Sequence, residues 1–362
     1  MVTARALPFV GGIETHVEEV SSRIARAGVD LTVLTTDVTG ALESREERDG
    51  FVIRRFPAWP RSKDYFVSPG LLMALGRGNF DVVHVQGVHN TVAPLALAVA
   101  HRRKVPAIVT FHTGGNSSAT RNALRGAQWR AERPLLVRAE KLIAVCEFEA
   151  ALFSRALRIT EDRIVLIRNG SERLPESPVA PDFSGAPLIL SVGRLERYKG
   201  HHRVIAAMPA LLAHAPRARL VVVGRGEFEP VLRDMVSTLD LDAIVSIVSY
   251  AAEDRALMGA LVRSANVVTL MSEYEAHPVA VMEALAEGID VVVADTSGLS
   301  ELGREGLVTT IDLGAPPETL ADALLVASQE HRWAAGPPAL PTWDDCAEAL
   351  IATYREVARC GS

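Results

Sequence analysis

The sequence predicts an α/β chain of two doubly wound domains, each a parallel sheet covered on both faces. Three observations carry this. Short apolar runs of strand length alternate with segments of helical periodicity along the chain, the pattern of parallel strands joined by crossover helices. A length of 362 residues with 48% hydrophobic content suffices for two ordinary cores. The stretch 265–294 (ANVVTLMSEYEAHPVAVMEALAEGIDVVVA) reads as strand, loop, Pro-initiated helix, Gly stop and strand. In open α/β sheets the carboxyl-end crevice of such a unit binds nucleotides.

In chain order, only MVT precedes the first loop, which is short for a buried strand and leads us to expect a clipped strand or an internal start. Gly11 and Gly12 then open a helix with Ile13, Val17, Val20, Ile24 and Ala27 on one face. A glycine turn of this kind lets backbone approach a phosphate closely, although most Gly-Gly pairs are simply turns. Strand runs follow at 31–35, 52–55, 82–85, 107–111, 142–145 and 164–167, with covering helices at 91–101 and 147–157. His112 directly follows the strand at 107–111, so it stands at a carboxyl end, where sites are built. It reads either as a hydrogen-bonded loop residue or as a site residue. His84, inside a strand, reads as structural. The segment 116–141 carries Arg121, Arg125, Arg130, Arg133, Arg138 and Lys141 against Glu132 and Glu140. It reads as a solvated helix pair broken near Pro134, or as a basic lip for an anionic acceptor.

Residues 175–187 (PESPVAPDFSGAP) are rich in Pro and Ser and mark a linker. The expected organisation is therefore 1–173 for the N-terminal domain, 174–187 for the linker, 188–342 for the second domain and 343–362 for a last helix. The strand at 188–192 runs into Gly193-Arg194-Leu-Glu-Arg-Tyr-Lys199-Gly200, a glycine-bounded loop with two cations five residues apart. Such a loop can grip a diphosphate, Arg supplying a planar fork and Lys a point charge. Gly224-Arg225-Gly226 lacks the third glycine of a dinucleotide fingerprint, which disfavours NAD. Asp240-Leu-Asp242 imitates a metal-binding Asp-X-Asp but lies in a helix-to-strand connection with no companion ligands. Tyr250 either borders a base pocket or is a buried tyrosine with a satisfied hydroxyl. In the central stretch, Pro278 is placed at the first helical position, Glu275 in the loop before it and Glu283 about two turns in. The free amides at that helix start form an anion site, with a carboxylate on either side to hold hydroxyl groups. Trp343, Ala347, Leu350, Ile351, Tyr354 and Ala358 line one face of the last helix.

Charge is distributed unevenly. Residues 1–173 carry 24 Lys and Arg against 18 Asp and Glu, a net +6, and the remainder carries 14 against 26, a net −12. An acidic acceptor or a membrane surface would be met by the basic half, unless both halves simply present solvated faces. Cys146, Cys346 and Cys360 have no paired spacing, so neither a disulfide framework nor a zinc site is expected, and a reducing cytoplasm fits. No apolar run has the ~20 residues that a membrane-spanning helix needs.

Glu275, seven residues and Glu283, together with the Gly193–Gly200 loop and the Gly11-Gly12 turn, resemble the signature of the retaining GT-B glycosyltransferases. That is the large family 4 that includes sucrose synthase and bacterial mannosyl- and glucosyltransferases, and the resemblance covers nearly the whole chain. It departs in two places. Ala276, His277 and Pro278 stand where the family has Gly-Phe-Gly, and Ser297-Gly298 where it has paired glycines. The histidine at 112 matches a family histidine that bears on the donor sugar; a second family histidine is Gln86 here.

The resemblance implies a GT-B fold, two Rossmann-like domains facing a central cleft with the last helix crossing back to the first domain. It implies transfer of a hexosyl group from a nucleoside-diphosphate sugar, UDP-sugar before GDP-mannose, to a hydroxyl acceptor. Configuration would be retained by a front-face route that needs no metal or other cofactor. His112, Arg194, Lys199 and Glu275 would be catalytic; Gly11, Gly12, Gly193, Arg225, Tyr250, Ala276, His277, Pro278, Val279 and Glu283 would bind the donor. Glycolipid, polysaccharide and secondary metabolite all remain open as acceptors, peripheral contact with the inner membrane face is admitted, and nucleic acid is not expected. An epimerase or phosphorylase of the same fold, or a non-catalytic sugar-nucleotide-binding module, are the alternatives.

Overall fold

The structure, a computed structural model, describes residues 1–9, 11–60, 66–113, 119–179, 183, 186–251 and 254–360. The glycine-serine stretch at 114–118 and part of the expected linker therefore lie outside the described residues. The chain divides into two compact units. One comprises Met1–Thr113, Thr120–Gly170 and Pro341–Ser362, and the other Ser171–Leu340.

The first unit runs β1 (Val2–Thr3), α1 (Gly12–Arg26), β2 (Thr32–Asp37), β3 (Arg45–Arg48), β4 (Phe51–Pro57), α2 (Pro69–Arg77), β5 (Val83–Gln86) and α3 (Val92–Arg103). It continues with β6 (Ala107–Thr110), α4 (Ala119–Leu136), β7 (Lys141–Ala144), α5 (Glu147–Leu157) and β8 (Ile164–Leu166). The sheet order is β3-β4-β2-β1-β5-β6-β7-β8, parallel except for the antiparallel β3/β4 pair. Short as it is, β1 sits in the middle, pairing with β2 and β5. Its neighbours β2 and β5 are buried at every position but Thr32, although Thr35, Thr36, Asp37, His84 and Gln86 are polar, and Phe111 stacks on Phe153 of α5 with ring centroids 3.7 Å apart.

The second unit runs β9 (Leu188–Val192), α6 (His201–His214), β10 (Arg219–Val223), α7 (Glu229–Thr238), β11 (Val245–Val248), α8 (Arg255–Ser264) and β12 (Val267–Leu270). It ends with α9 (Val279–Ala286), β13 (Asp290–Ala294), α10 (Ser297–Arg304), β14 (Thr309–Ile311) and α11 (Pro317–Glu330). Its all-parallel sheet has the order β11-β10-β9-β12-β13-β14. Strand order therefore reverses between β9 and β12, the place where doubly wound sheets open a crevice at their carboxyl ends. The final helix α12 (Trp343–Cys360) belongs to the first unit, where it packs on α1 and Arg23 pairs with Asp344 at 2.6 Å.

Several expectations need correction. The basic segment forms one helix, α4, with Pro134 inside its last turn, rather than a broken pair. Trp129 and Leu136 are both buried, so the apolar face continues across the proline and outweighs the lost backbone hydrogen bond. Ala27 lies beyond the end of α1 and is exposed. Pro278 is the N-cap of α9 with extended ψ of 118°, not its first helical residue, and Glu283 is the fifth residue of that helix, little more than one turn in. The stop at Gly288 is as expected and has a full backbone explanation. With φ of +75° its N–H bonds Leu285 O at 2.9 Å and the next N–H, of Ile289, bonds Ala284 O at 3.0 Å.

Candidate functional site

Two loops hang from adjacent strands at the switch point of the second unit. One follows β9 and holds Gly193, Arg194, Tyr198 and Lys199; the other follows β12 and holds Ser272 to Pro278. Between them Lys199 Nζ meets Glu275 Oε1 at 2.5 Å, with the two side chains only 14% and 9% exposed. Burial alone would depress the Lys199 ammonium, and the Glu275 carboxylate more than offsets it, so the net shift is upward and Lys199 stays charged. The loops are tied elsewhere too. Glu273 N–H donates to Tyr198 O at 2.8 Å, and Ser272 Oγ to Lys199 O at 3.3 Å.

Main-chain packing fixes this arrangement. Gly200 has φ of +77°, and a Cβ there would lie 1.8 Å from Met271 O. At Gly298 in α10 a Cβ would lie 1.7 Å from Ala276 O, and the Gly298 N–H donates to Glu275 O at 2.9 Å. Next to it, Ser297 holds a left-handed φ of 47° and its Oγ accepts the Glu275 N–H at 2.8 Å. The hydroxyl thus fastens the backbone that carries the carboxylate. Thr296 Oγ1 in turn donates to Ser272 O at 2.8 Å.

The other expected residues of this unit lie along the same edge. Arg194 donates to Tyr198 Oη at 2.8 Å and also pairs with Glu196. Arg225, exposed after β10, donates to Ser249 Oγ at 2.9 Å, and half-buried Tyr250 follows two residues past β11. Ala276, His277, Pro278 and Val279 are buried at the entrance to α9. Buried Glu283 accepts from Arg255 of α8 at 2.8 Å. Arg255 and Ser297 were not anticipated. Nothing near Arg255 in sequence signals the contact, whereas the unusual serine beside Gly298 was visible and could have been followed up.

The first unit brings Gly11, Gly12 and His112 to the carboxyl edge of its own sheet. Gly11 caps α1, and the space where a Gly12 Cβ would stand is open. His112 follows β6 in a left-handed conformation with φ of 46°, and its Nε2–H donates to Gln86 Oε1 at 2.8 Å. His16 of α1 stands edge-on to it at 4.5 Å between centroids, with Nδ1 held by Asn169 Oδ1 at 3.0 Å. His84 is structural, as expected, bonded to Tyr354 and Thr110 at 2.7 Å each. Burial, followed by repulsion from His16, His84 and His89, holds the His112 pKa well below 6.5, and burial lowers that of His16 to about 4. His112 is therefore a neutral imidazole whose N–H is taken by Gln86, leaving Nδ1 as an acceptor.

Because these folded-state pKa values lie below the unfolded value, the unfolded chain takes up protons first as pH falls. The stability they contribute is complete above about pH 6.5 and is lost towards pH 4. The melting temperature should accordingly fall from pH 7 to pH 5 in a pH series at constant ionic strength. A flat profile over that range would contradict the burial of these rings.

Two consecutive family models match the chain, Glycosyltransferase Family 4 over residues 10–172 and Glycosyl transferases group 1 over residues 175–327. The glycogen synthase of Mycobacterium tuberculosis is 29% identical over 324 residues, covering 81% of this chain and 76% of that protein. The D-inositol 3-phosphate glycosyltransferase of Frankia alni is 26% identical over 390 residues, covering 95% and 94%. Among solved structures, sucrose-phosphate synthase from Thermosynechococcus elongatus superposes with a TM-score of 0.76 at 19% identity, covering 99% of this chain and 100% of that one. HepE of Anabaena in complex with UDP gives 0.68 at 17% identity, covering 99% and 96%. The fold is GT-B, and this chain belongs to the family 4 glycosyltransferases.

Proposed function

We propose that the chain is a retaining glycosyltransferase that moves a hexosyl group from a nucleoside-diphosphate sugar to a hydroxyl acceptor. The observation that carries this is the Lys199–Glu275 pair at the β9/β12 switch point, with Arg194 on the same loop. A UDP-sugar is favoured over GDP-mannose; HepE, which shares the fold, has been crystallised with UDP and with UDP-glucose.

In this reading the glycosidic C1–O bond breaks with its electron pair going to the departing phosphate oxygen. Arg194 and Lys199 neutralise the charge that develops there, which lowers the barrier because both are positioned in advance. The same oxygen takes the proton of the acceptor hydroxyl, and the acceptor bonds C1 on the face the phosphate left. Glu275 accepts a hydrogen bond from a sugar hydroxyl, Glu283 from the ribose, and neutral His112 lines the sugar. Gly11, Gly12, Gly193, Arg225, Tyr250 and residues 276–279 complete the donor contacts. With two side-chain cations supplying the positive charge, turnover should persist in a chelator. Among the described residues no helix is long and apolar enough to cross a membrane.

The test is thermal denaturation with UDP, GDP and ADP and their sugars in EDTA. A ligand at 100 times its Kd stabilises the native state by about 2.7 kcal/mol. One nucleotide should raise the melting temperature clearly above the others. Silence from all of them would overturn the proposal. Nucleoside diphosphate released from the donor only when acceptor is added would separate transfer from epimerisation.

A further inference from the structure

Tyr198 is not among the residues that the motif spacing singles out, yet its side chain meets both cations of the loop. Its side chain is buried, at 3% exposure, in the tight turn Arg197–Lys199 between β9 and α6. Its hydroxyl accepts from Arg194 Nη2 at 2.8 Å, and Lys199 Nζ stands over its ring, 5.4 Å from the centroid. Its carbonyl receives the Glu273 N–H from the loop after β12.

The Arg194 side chain is 54% exposed, so the fold does not need it held. A solvated arginine loses rotamer freedom when it is fixed. Restraint of this kind contributes when the group must already be in place as a ligand arrives. Burial pushes the Tyr198 phenol above its usual range, so it remains a neutral acceptor for Arg194 throughout the working pH range.

We infer that Tyr198 is the positioning residue of the phosphate grip, setting Arg194 through its hydroxyl and Lys199 through its ring. This rests on the nucleotide-sugar reading above. The hydroxyl and the ring can be separated, because phenylalanine keeps the ring under Lys199 and removes only the hydroxyl's hold on Arg194, leaving the Glu196 pair in place.

The experiment measures binding of a nucleoside diphosphate and of the matching nucleoside by calorimetry to wild type, Y198F, R194A and the double variant. Y198F should weaken the diphosphate about tenfold, the loss expected for one hydrogen bond to a charged group, and leave the nucleoside unchanged. The double variant should bind the diphosphate no more weakly than R194A alone, because the hydroxyl acts only through that arginine. Wild type that binds the diphosphate while Y198F binds it equally well would overturn this inference alone. So would equal weakening of diphosphate and nucleoside, or additive losses in the double variant. Wild type that binds no nucleoside diphosphate would overturn both this inference and the donor reading.

Discussion

Lys199→Ala is expected to reduce turnover by about 10²- to 10³-fold, the usual loss when one positioned charge-stabilising group is removed. It should also destabilise the protein, because the Glu275 carboxylate, 9% exposed, is left without its cation. Breaking a buried pair from one side costs about 3–5 kcal/mol. Glu275→Ala should lower turnover on the same scale. The double variant should then melt higher than Lys199→Ala, since no charge is orphaned, while remaining as inactive. Turnover and thermal melts measured on the three variants separate the two contributions. Turnover close to wild type in both single variants would sink the site assignment.

Gly298→Ala is expected to be strongly disruptive in the second unit. The new carbon would stand 1.7 Å from Ala276 O, 2.7 Å from Ala276 C and 3.1 Å from Glu275 O, all main-chain atoms with no rotamer to give way. Overpacking of this kind costs about 1–3 kcal/mol and occasionally more. The relief available is to push the 275–278 loop away from α10, which moves Glu275 off Lys199. Donor affinity should fall together with the melting temperature. Gly126→Ala makes the contrasting control. In α4 the nearest atom to its Cβ is Arg130 Nη2 at 3.9 Å, and alanine in a helix is favoured over glycine by about 1 kcal/mol. The same substitution should therefore be harmless or mildly stabilising there. A Gly298→Ala protein with wild-type stability and donor affinity would mean that the loop is not held as described.

Much of this architecture is legible in the sequence. Buried parallel strands are nearly uniform in Val, Ile and Leu, so runs such as 188–192 and 291–294 declare themselves. The Glu275 and Glu283 spacing and the Arg194 and Lys199 spacing are local, and local geometry survives folding. What escaped depends on other causes. Strand β3 is Arg-Glu-Glu-Arg, an edge strand with no apolar run to reveal it, and it pairs antiparallel with β4. The Arg255–Glu283 contact spans 28 residues and exists only once α8 and α9 are packed. Pro134 signals a break in sequence, but it falls in the last turn of α4, and tertiary packing on both sides of it prevails. The serine at 297 takes a conformation that favours glycine, and its hydroxyl to the Glu275 N–H accounts for its presence.

The contacts at Gly200 and Gly298 have a consequence for how such a protein can change. Both fasten the two loops through carbonyl oxygens and α-carbons, atoms that every amino acid shares. The frame is thus built from main chain rather than from the side chains at 276 and 277, but both residues are buried, so the holder should accept only side chains of similar volume there. Volume-matched replacement of Ala276 and His277, with Gly200, Ser297 and Gly298 kept, should yield folded variants with altered sugar preference. Randomising the glycines instead should yield mostly insoluble ones.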